Sequence, residues 1–259
     1  MSKSNAVAAV ASAHHAGRNN NSSNGASRRA VVVADMRDPQ IRFRRAIIPV
    51  GSLEQHGPHL PVSTDTLVVE HIANLVAPMV GAVVMPAIAY GVSYEHGPLF
   101  NASVRNSTLS ATVCDLCASL ADCGFSEIIL LNGHHGNMGA LQYVAQDLES
   151  RIPGAVAVHT LHYWHAMKSE FDHAGEVETS LVLAIAPGLV RMDLAQPNSK
   201  KLSKSKAAYA TLTNAPGSFI RITGNGVWGD PAAASAEKGK KLIKEITANL
   251  AATISELVR

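Results

Sequence analysis

Short apolar runs alternate with stretches of helical period along most of the chain. Residues 46–50 read as a strand with Pro49 near its end, because proline cannot donate to a sheet ladder. Residues 82–85 form a second strand, closed by Pro86. Residues 127–131 are a continuous apolar run of the kind buried on both faces of a parallel sheet, and 155–158 make a fourth strand. Residues 67–76 and 109–122 read as helices, and Gly124 supplies a stop signal for the second. Asn137 is placed to cap a helix running to 151. Residues 178–185 read as another helix and 235–258 as a long terminal one, with Leu242, Ile243, Ile246, Leu250, Ile254 and Leu257 as its apolar stripe. This alternation implies βαβ units, hence an α/β fold with a mostly parallel sheet and helices on both faces.

The pattern is absent at the start. The first 29 residues are mostly Ala, Ser, Asn, Gly and His with almost no large apolar side chains, too few to offset the entropy of ordering them. They are expected to be a disordered tail, with residues 30–259 as one domain. Residues 6–13 behind Lys3 imitate a short signal segment but are mostly alanine. A long irregular loop is expected over 192–230. It contains the basic run 200–206, a solvated loop or, on the sharper reading, a phosphate contact.

Composition narrows the class. Apolar residues make up 47% and charged residues 16%, which allows a sizeable core. A net charge of +2 is too small to suggest a nucleic-acid partner, and no apolar run is long enough to span a membrane. Cys114 and Cys117 lie within a helical pattern with no second pair to complete a four-thiolate zinc site. They and Cys123 read as reduced thiols of a cytoplasmic protein.

Two polar clusters directly follow predicted strands, and ligands of open parallel sheets gather beyond strand carboxyl ends. One runs from Gly51 through Glu54, His56 and His59 to Asp65; the other is Asn132-Gly-His134-His135-Gly-Asn137. Mixed carboxylates and imidazoles suit Zn²⁺, Mn²⁺ or Fe²⁺. Only one of His134 and His135 needs to point inward. A third cluster, Asp172-His173-Ala-Gly-Glu176-Val-Glu178, opens a helix; Glu176 and Glu178 cannot share one helix face, so at most one reaches a metal. Serine-elbow, phosphate-loop and His-Glu-x-x-His motifs are absent.

At these residues the sequence resembles the creatininase (creatinine amidohydrolase) family. The matching elements are Pro49 to Pro61 with Asp65, Asn132 to Asn137, His173 to Ser180, and the late loop Gly226 to Pro231. The resemblance implies a three-layer αβα sandwich, two divalent metal ions per chain and a homo-oligomer, usually a hexamer. It implies a small-molecule amide substrate, with no nucleic-acid or membrane partner. By position, Glu54, Asp65 and His134 would hold one ion, and His56 with a bridging Asp65 the other. His173 matches the histidine that handles protons; Trp164 and His135 are candidates for contacting substrate. Creatininase proper has a glutamate ligand where this chain has Gly136, and the motif of other members points to Glu176 as the replacement carboxylate. The implied reaction is metal-assisted hydrolysis of a non-peptide C–N amide bond. Creatinine ring opening and formamidopyrimidine-nucleotide deformylation are the specific candidates. A peptidase of cofactor maturation and a non-catalytic metal-binding scaffold are the alternatives.

Overall fold

A computed structural model describes residues 44–198 and 216–257. The tail 1–29, its alanine-rich segment 6–13, the basic run 200–206 and Val258 lie outside the described residues. Four parallel strands form the sheet: β1 (Arg45–Val50), β2 (Ala82–Val84), β3 (Glu127–Asn132) and β4 (Ala157–His162), in the order β2-β1-β3-β4. The helices are α1 (Thr64–Val80), α2 (Asn106–Asp122), α3 (Met138–Leu141), α4 (Val144–Arg151), α5 (Glu176–Ile185), α6 (Ser218–Thr223) and α7 (Ala236–Glu256).

Alternation along the two central strands divides the core. Ala46, Ile48, Val50, Ile128 and Leu130 pack with Leu109 and Val113 of α2, Leu141 of α3, and Val144 and Leu148 of α4. Ile47, Ile129 and Leu131 pack on the other side with Val69 and Ile72 of α1, Leu181 of α5 and Ile246 of α7. The molecule is therefore a three-layer αβα sandwich, as its strand pattern requires. From β1 the chain turns through α1 to β2; from β3 it turns through α3 and α4, on the opposite face, to β4. The carboxyl ends of β1 and β3 thus flank the topological switch point of the sheet, where such folds open a crevice.

Three elements differ from their sequence reading. β4 begins two residues later and runs four residues further, to His162, because its half-exposed residues at the sheet edge mix His159, Thr160 and His162 with the apolar ones. The helix expected from Asn137 to Arg151 is broken at Tyr143 (φ −108°, ψ 4°), and Asn137 makes no capping hydrogen bond. The described parts of 192–230 are not wholly irregular, since they include a 3-10 turn, Met192–Leu194, and α6. Cys114 and Cys117 are buried thiols without a disulfide, and burial pushes Cys117 up to about 12. No described helix is long and apolar enough to cross a membrane.

Candidate metal centre

The segment after β1 carries Glu54 and His56 over the sheet end, and Gly57 turns it back at φ +63°. Asp65 lies in the first turn of α1, where a helix N-terminus favours a carboxylate. His134 follows β3, held by two asparagines. Its N–H donates to Asn132 Oδ1 (3.0 Å), while Asn137 donates to the Gly51 carbonyl (2.9 Å) and accepts from Val92 N–H (2.9 Å). The asparagine predicted to cap a helix instead ties three loops together.

His173 is clamped by the late loop through reciprocal backbone bonds with Trp228 (3.1 and 2.8 Å). After it, Ala174 takes a left-handed conformation at φ +52°, which costs an alanine about 1 kcal/mol. That turn aims its N–H at Glu178 Oε2, 2.6 Å away. Asp172 accepts from the N–H groups of Val177 (2.8 Å) and Glu178 (3.2 Å), fixing the start of α5.

Side chains that lie far apart in sequence converge here. His56 Nε2 is 3.1 Å from Asp65 Oδ1 and 3.6 Å from Glu178 Oε2. His134 Nδ1 is 3.2 Å from Asp65 Oδ2, and its Nε2 is 3.1 Å from Glu54 Oε2. All five are essentially buried. Three overlapping groups each place their ligand atoms within 4.8 Å of one another: Glu54, Asp65 and His134; His56, Asp65 and Glu178; Glu54, His56 and His173. Asp65 Oδ2 and Glu54 Oε1 are buried without any hydrogen bond, so the nearby imidazole nitrogens are close to them but not aligned as donors. Buried carboxylate oxygens left this way are costly unless a cation meets them. His56 Nδ1 is 3.2 Å from the Glu54 carbonyl, a partner that leaves Nε2 facing the carboxylates. The donor set fits divalent ions.

The electrostatics agree. Burial opposes charge on Asp65, but His56 and His134 outweigh it and hold the carboxyl well below its usual range. Glu54 is lowered against its own burial by His134 and His96. Burial would make the imidazoles weaker bases, yet Asp65 and Glu178 push His56 up to about 10, and Glu54 and Asp65 do the same for His134. Burial dominates at Glu178, partly offset by His56, and raises it to about 8. The cluster demands positive charge.

Glu176 does not join it. Its half-exposed carboxylate pairs with Lys238 Nζ at 2.6 Å, on a different face of α5 from Glu178. Glu178 therefore occupies the position expected of Glu176. Gly136 leaves no room for a side chain of its own: a Cβ there would run into the Val92 carbonyl oxygen and His134 Nε2. His135 is exposed, its ring 6.1 Å from Trp164 and 6.3 Å from Phe171, and does not reach the carboxylates. Trp164 is buried in that aromatic group, 5.0 Å from His162 and 4.9 Å from Phe171.

Sequence reasoning missed Glu95 and His96. His96 Nε2 lies 3.0 Å from Glu54 Oε1, and Glu95 Oε1 lies 3.8 Å from His134 Nε2. A signal was present, because His-Gly-Pro occurs twice, at His56 to Pro58 and His96 to Pro98, each behind a nearby glutamate.

A carboxylate–imidazole centre at the switch point of a parallel αβα sandwich defines a metal-dependent hydrolase. The chain belongs to the creatininase family: the family model described as creatinine amidohydrolase matches residues 33–254. It is 33% identical to the mycofactocin precursor peptide peptidase of Mycolicibacterium smegmatis, over 77% of this chain and 80% of that protein. It is 28% identical to the creatinine amidohydrolase of Pseudomonas putida, over 81% of this chain and 88% of that one. A solved manganese form of creatininase superposes with a TM-score of 0.67 at 27% identity, covering 82% of this chain and 90% of that one. The chain is an amidohydrolase of this family.

Proposed function

We propose that the centre holds two divalent ions, zinc, manganese or iron, and that the enzyme hydrolyses a non-peptide C–N amide bond of a small molecule. Glu54, Asp65 and His134 would hold one ion; His56, Asp65 and Glu178 would hold the other. The observation that carries this reading is Asp65, whose two oxygens face different imidazoles and which two donor groups share. Bound ions of this kind supply Lewis acidity and lower the pKa of a coordinated water towards about 7.

The chain's own groups supply the rest. His173 Nε2 is 3.0 Å from the Gln55 carbonyl, so Nε2 carries the hydrogen and Nδ1 is left as the acceptor, 3.8 Å from Glu54 Oε1. Burial, reinforced by His56 and His96, holds His173 well below the usual histidine range. A neutral imidazole so placed takes a proton at Nδ1 and returns it to the leaving nitrogen. The Ala174 N–H fixes the Glu178 carboxylate, and Phe219, 4.9 Å from the His173 ring, shields the imidazole.

We take the enzyme to be a cytoplasmic homo-oligomer, a hexamer by family resemblance; light scattering would read its mass. A second substrate reading, cleavage of a peptide, is favoured by the 33% identity to a precursor-peptide peptidase. The test loads the purified chain with Mn²⁺ or Zn²⁺ and offers creatinine, a formamidopyrimidine nucleotide and a short peptide. Ring opening or formate release is the expected outcome. Cleavage of the peptide alone would transfer the assignment to the second reading. Failure on all three with two ions bound per chain would overturn both in favour of a metal-binding scaffold.

A further inference from the structure

The pattern Ser-x-Glu followed by His-Gly-Pro occurs twice, at Ser52 to Pro58 and at Ser93 to Pro98, with Gln55 as an extra residue in the first copy. The two copies use their side chains differently. In the first, Ser52 Oγ–H donates to Glu54 Oε2 at 2.9 Å, and Glu54 belongs to two of the groups able to hold an ion. In the second, Ser93 Oγ and Glu95 Oε2 are both buried without a hydrogen bond. Ser93 is fully enclosed and Glu95 only 8% exposed. Leaving a buried polar atom unpaired costs about 1–3 kcal/mol, and more where the group is charged. Two such atoms in one short segment call for a partner from outside the chain.

Glu95 lies beside the metal centre without belonging to it. Its Oε1 is 3.8 Å from His134 Nε2 and 3.9 Å from His96 Nε2, both too long for hydrogen bonds. His134 Nε2 already has the Val92 carbonyl at 2.9 Å. Glu95 is in none of the three groups whose ligand atoms lie within 4.8 Å of one another, so Glu54, Asp65 and Glu178 serve the ions and Glu95 is a further carboxylate. A Cβ on Gly136 would come within 2.8 Å of Glu95 Oε1. The carboxylate therefore stands where a side chain from the loop after β3 would otherwise lie. The next residue, His96, has its ring 4.7 Å from that of His173, so Glu95 sits one imidazole away from the group that handles the proton.

The chemistry of the two residues points to what they meet. A carboxylate accepts hydrogen bonds, and a serine hydroxyl can accept or donate. An amide offers one acceptor, its carbonyl, and one kind of donor, its N–H. In the function proposed above the carbonyl is met by the ions, which leaves the N–H in need of an acceptor.

We propose that Glu95 determines specificity: its carboxylate accepts the N–H of the substrate amide, with the Ser93 hydroxyl as a neighbouring contact, so that the enzyme takes amides bearing an N–H and rejects their N-methylated counterparts. The proposal rests on the amide reading of the site, and its test separates Glu95 from the ions.

The test titrates 2-pyrrolidinone and N-methyl-2-pyrrolidinone into the zinc-loaded chain, with binding followed by protein NMR. The N–H lactam is expected to bind about 10- to 100-fold more tightly, the usual worth of a hydrogen bond to a charged group. Glu95→Leu removes the acceptor and is expected to abolish that preference while leaving zinc content at its wild-type value. A preference that survives Glu95→Leu would reduce the selectivity to steric exclusion and overturn the proposal. Zinc lost in Glu95→Leu would assign the carboxylate to the ions instead, with the same result. Where Glu95→Leu does not fold, Glu95→Gln decides. Its amide oxygen accepts without charge, so the preference is expected to shrink to a few-fold, and an undiminished preference would overturn the role. Wild-type chain that binds neither lactam, or both equally, would do so as well. A chain that takes up no zinc yet still prefers the N–H lactam would end the metal reading and leave the role of Glu95 standing.

Discussion

Glu176 and Glu178 lie two positions apart on α5, about 200° of helical rotation, and only one of them can look toward the sheet end. Glu178 is buried beside His56, whereas Glu176 meets Lys238 in solvent. Substitution should separate them. Glu178→Gln keeps the shape but removes the charge, and is expected to lower the bound metal from two ions per chain towards one, read by elemental analysis of the purified protein. Glu176→Gln breaks an exposed pair of a type worth about 0–1 kcal/mol, and is expected to leave metal content unchanged. Equal metal loss in both variants would return the ligand role to Glu176. The motif at 173–180 exposed the choice but could not decide it. The deciding rotation is set by the Asp172 cap and the left-handed Ala174, and alanine gives no warning in sequence of a positive φ. Glu54, His56, Asp65 and His134 were legible because each follows a strand or opens a helix. His96 was not, because the segment carrying it is a short 3-10 turn with no periodicity to anchor it.

At the scale of elements, the helix carrying Glu178 is held by its crossing with α7. A Cβ on Gly239 would run into the Ser180 carbonyl oxygen, so α7 approaches the backbone of α5 directly. Gly239→Ala is therefore expected to destabilise the fold by about 1–3 kcal/mol, as overpacking does, read as a lowered urea midpoint at unchanged slope. Because α5 must shift to admit the methyl group, the variant should also bind metal less tightly, although residue 239 is not itself a ligand. Stability and affinity both unchanged would show that the crossing has slack. The elements themselves were readable where burial is continuous, as in β1 and β3, whose apolar runs match their extents closely. They were less so where the environment is mixed. Among the described residues β4 pairs on one side only, and its polar residues hide the strand; the interruption at Tyr143 has no glycine or proline on either side of it to mark it. Gly239 looks like a flaw in the terminal helix by propensity alone, and only the packing of α5 explains it.

At the scale of the whole molecule, the centre couples folding to both metal and protons. His56 and His134 rise from an ordinary 6.5 to about 10 on folding, and Glu178 rises from 4.5 to about 8. In each case the folded chain binds the proton more tightly than the unfolded chain does. Their stabilising contribution is complete below the unfolded value and is lost as pH rises through the folded one, so stability of the metal-free protein should fall between about pH 5 and pH 10. Glu54 and Asp65 are lowered, and their contribution is lost only on the acid side, as pH falls through their depressed values. Metal binding reverses the alkaline trend, because ligating imidazoles must be neutral and carboxylates ionised, so affinity grows as protons leave. Free metal at a hundred times its Kd adds about 2.7 kcal/mol of stability, and Kd itself should tighten with pH. The gap in melting temperature between metal-loaded and chelator-treated protein is therefore expected to widen from about pH 6 to about pH 9. Calorimetry at both pH values, with and without chelator, reads that gap, and titrations in buffers of different ionisation enthalpy count the protons released. A gap that narrows with pH, or binding without proton release, would mean that His56 and His134 do not give up their protons to the ions. The ligand assignment would then fail together with the reason these buried charges are gathered at the switch point.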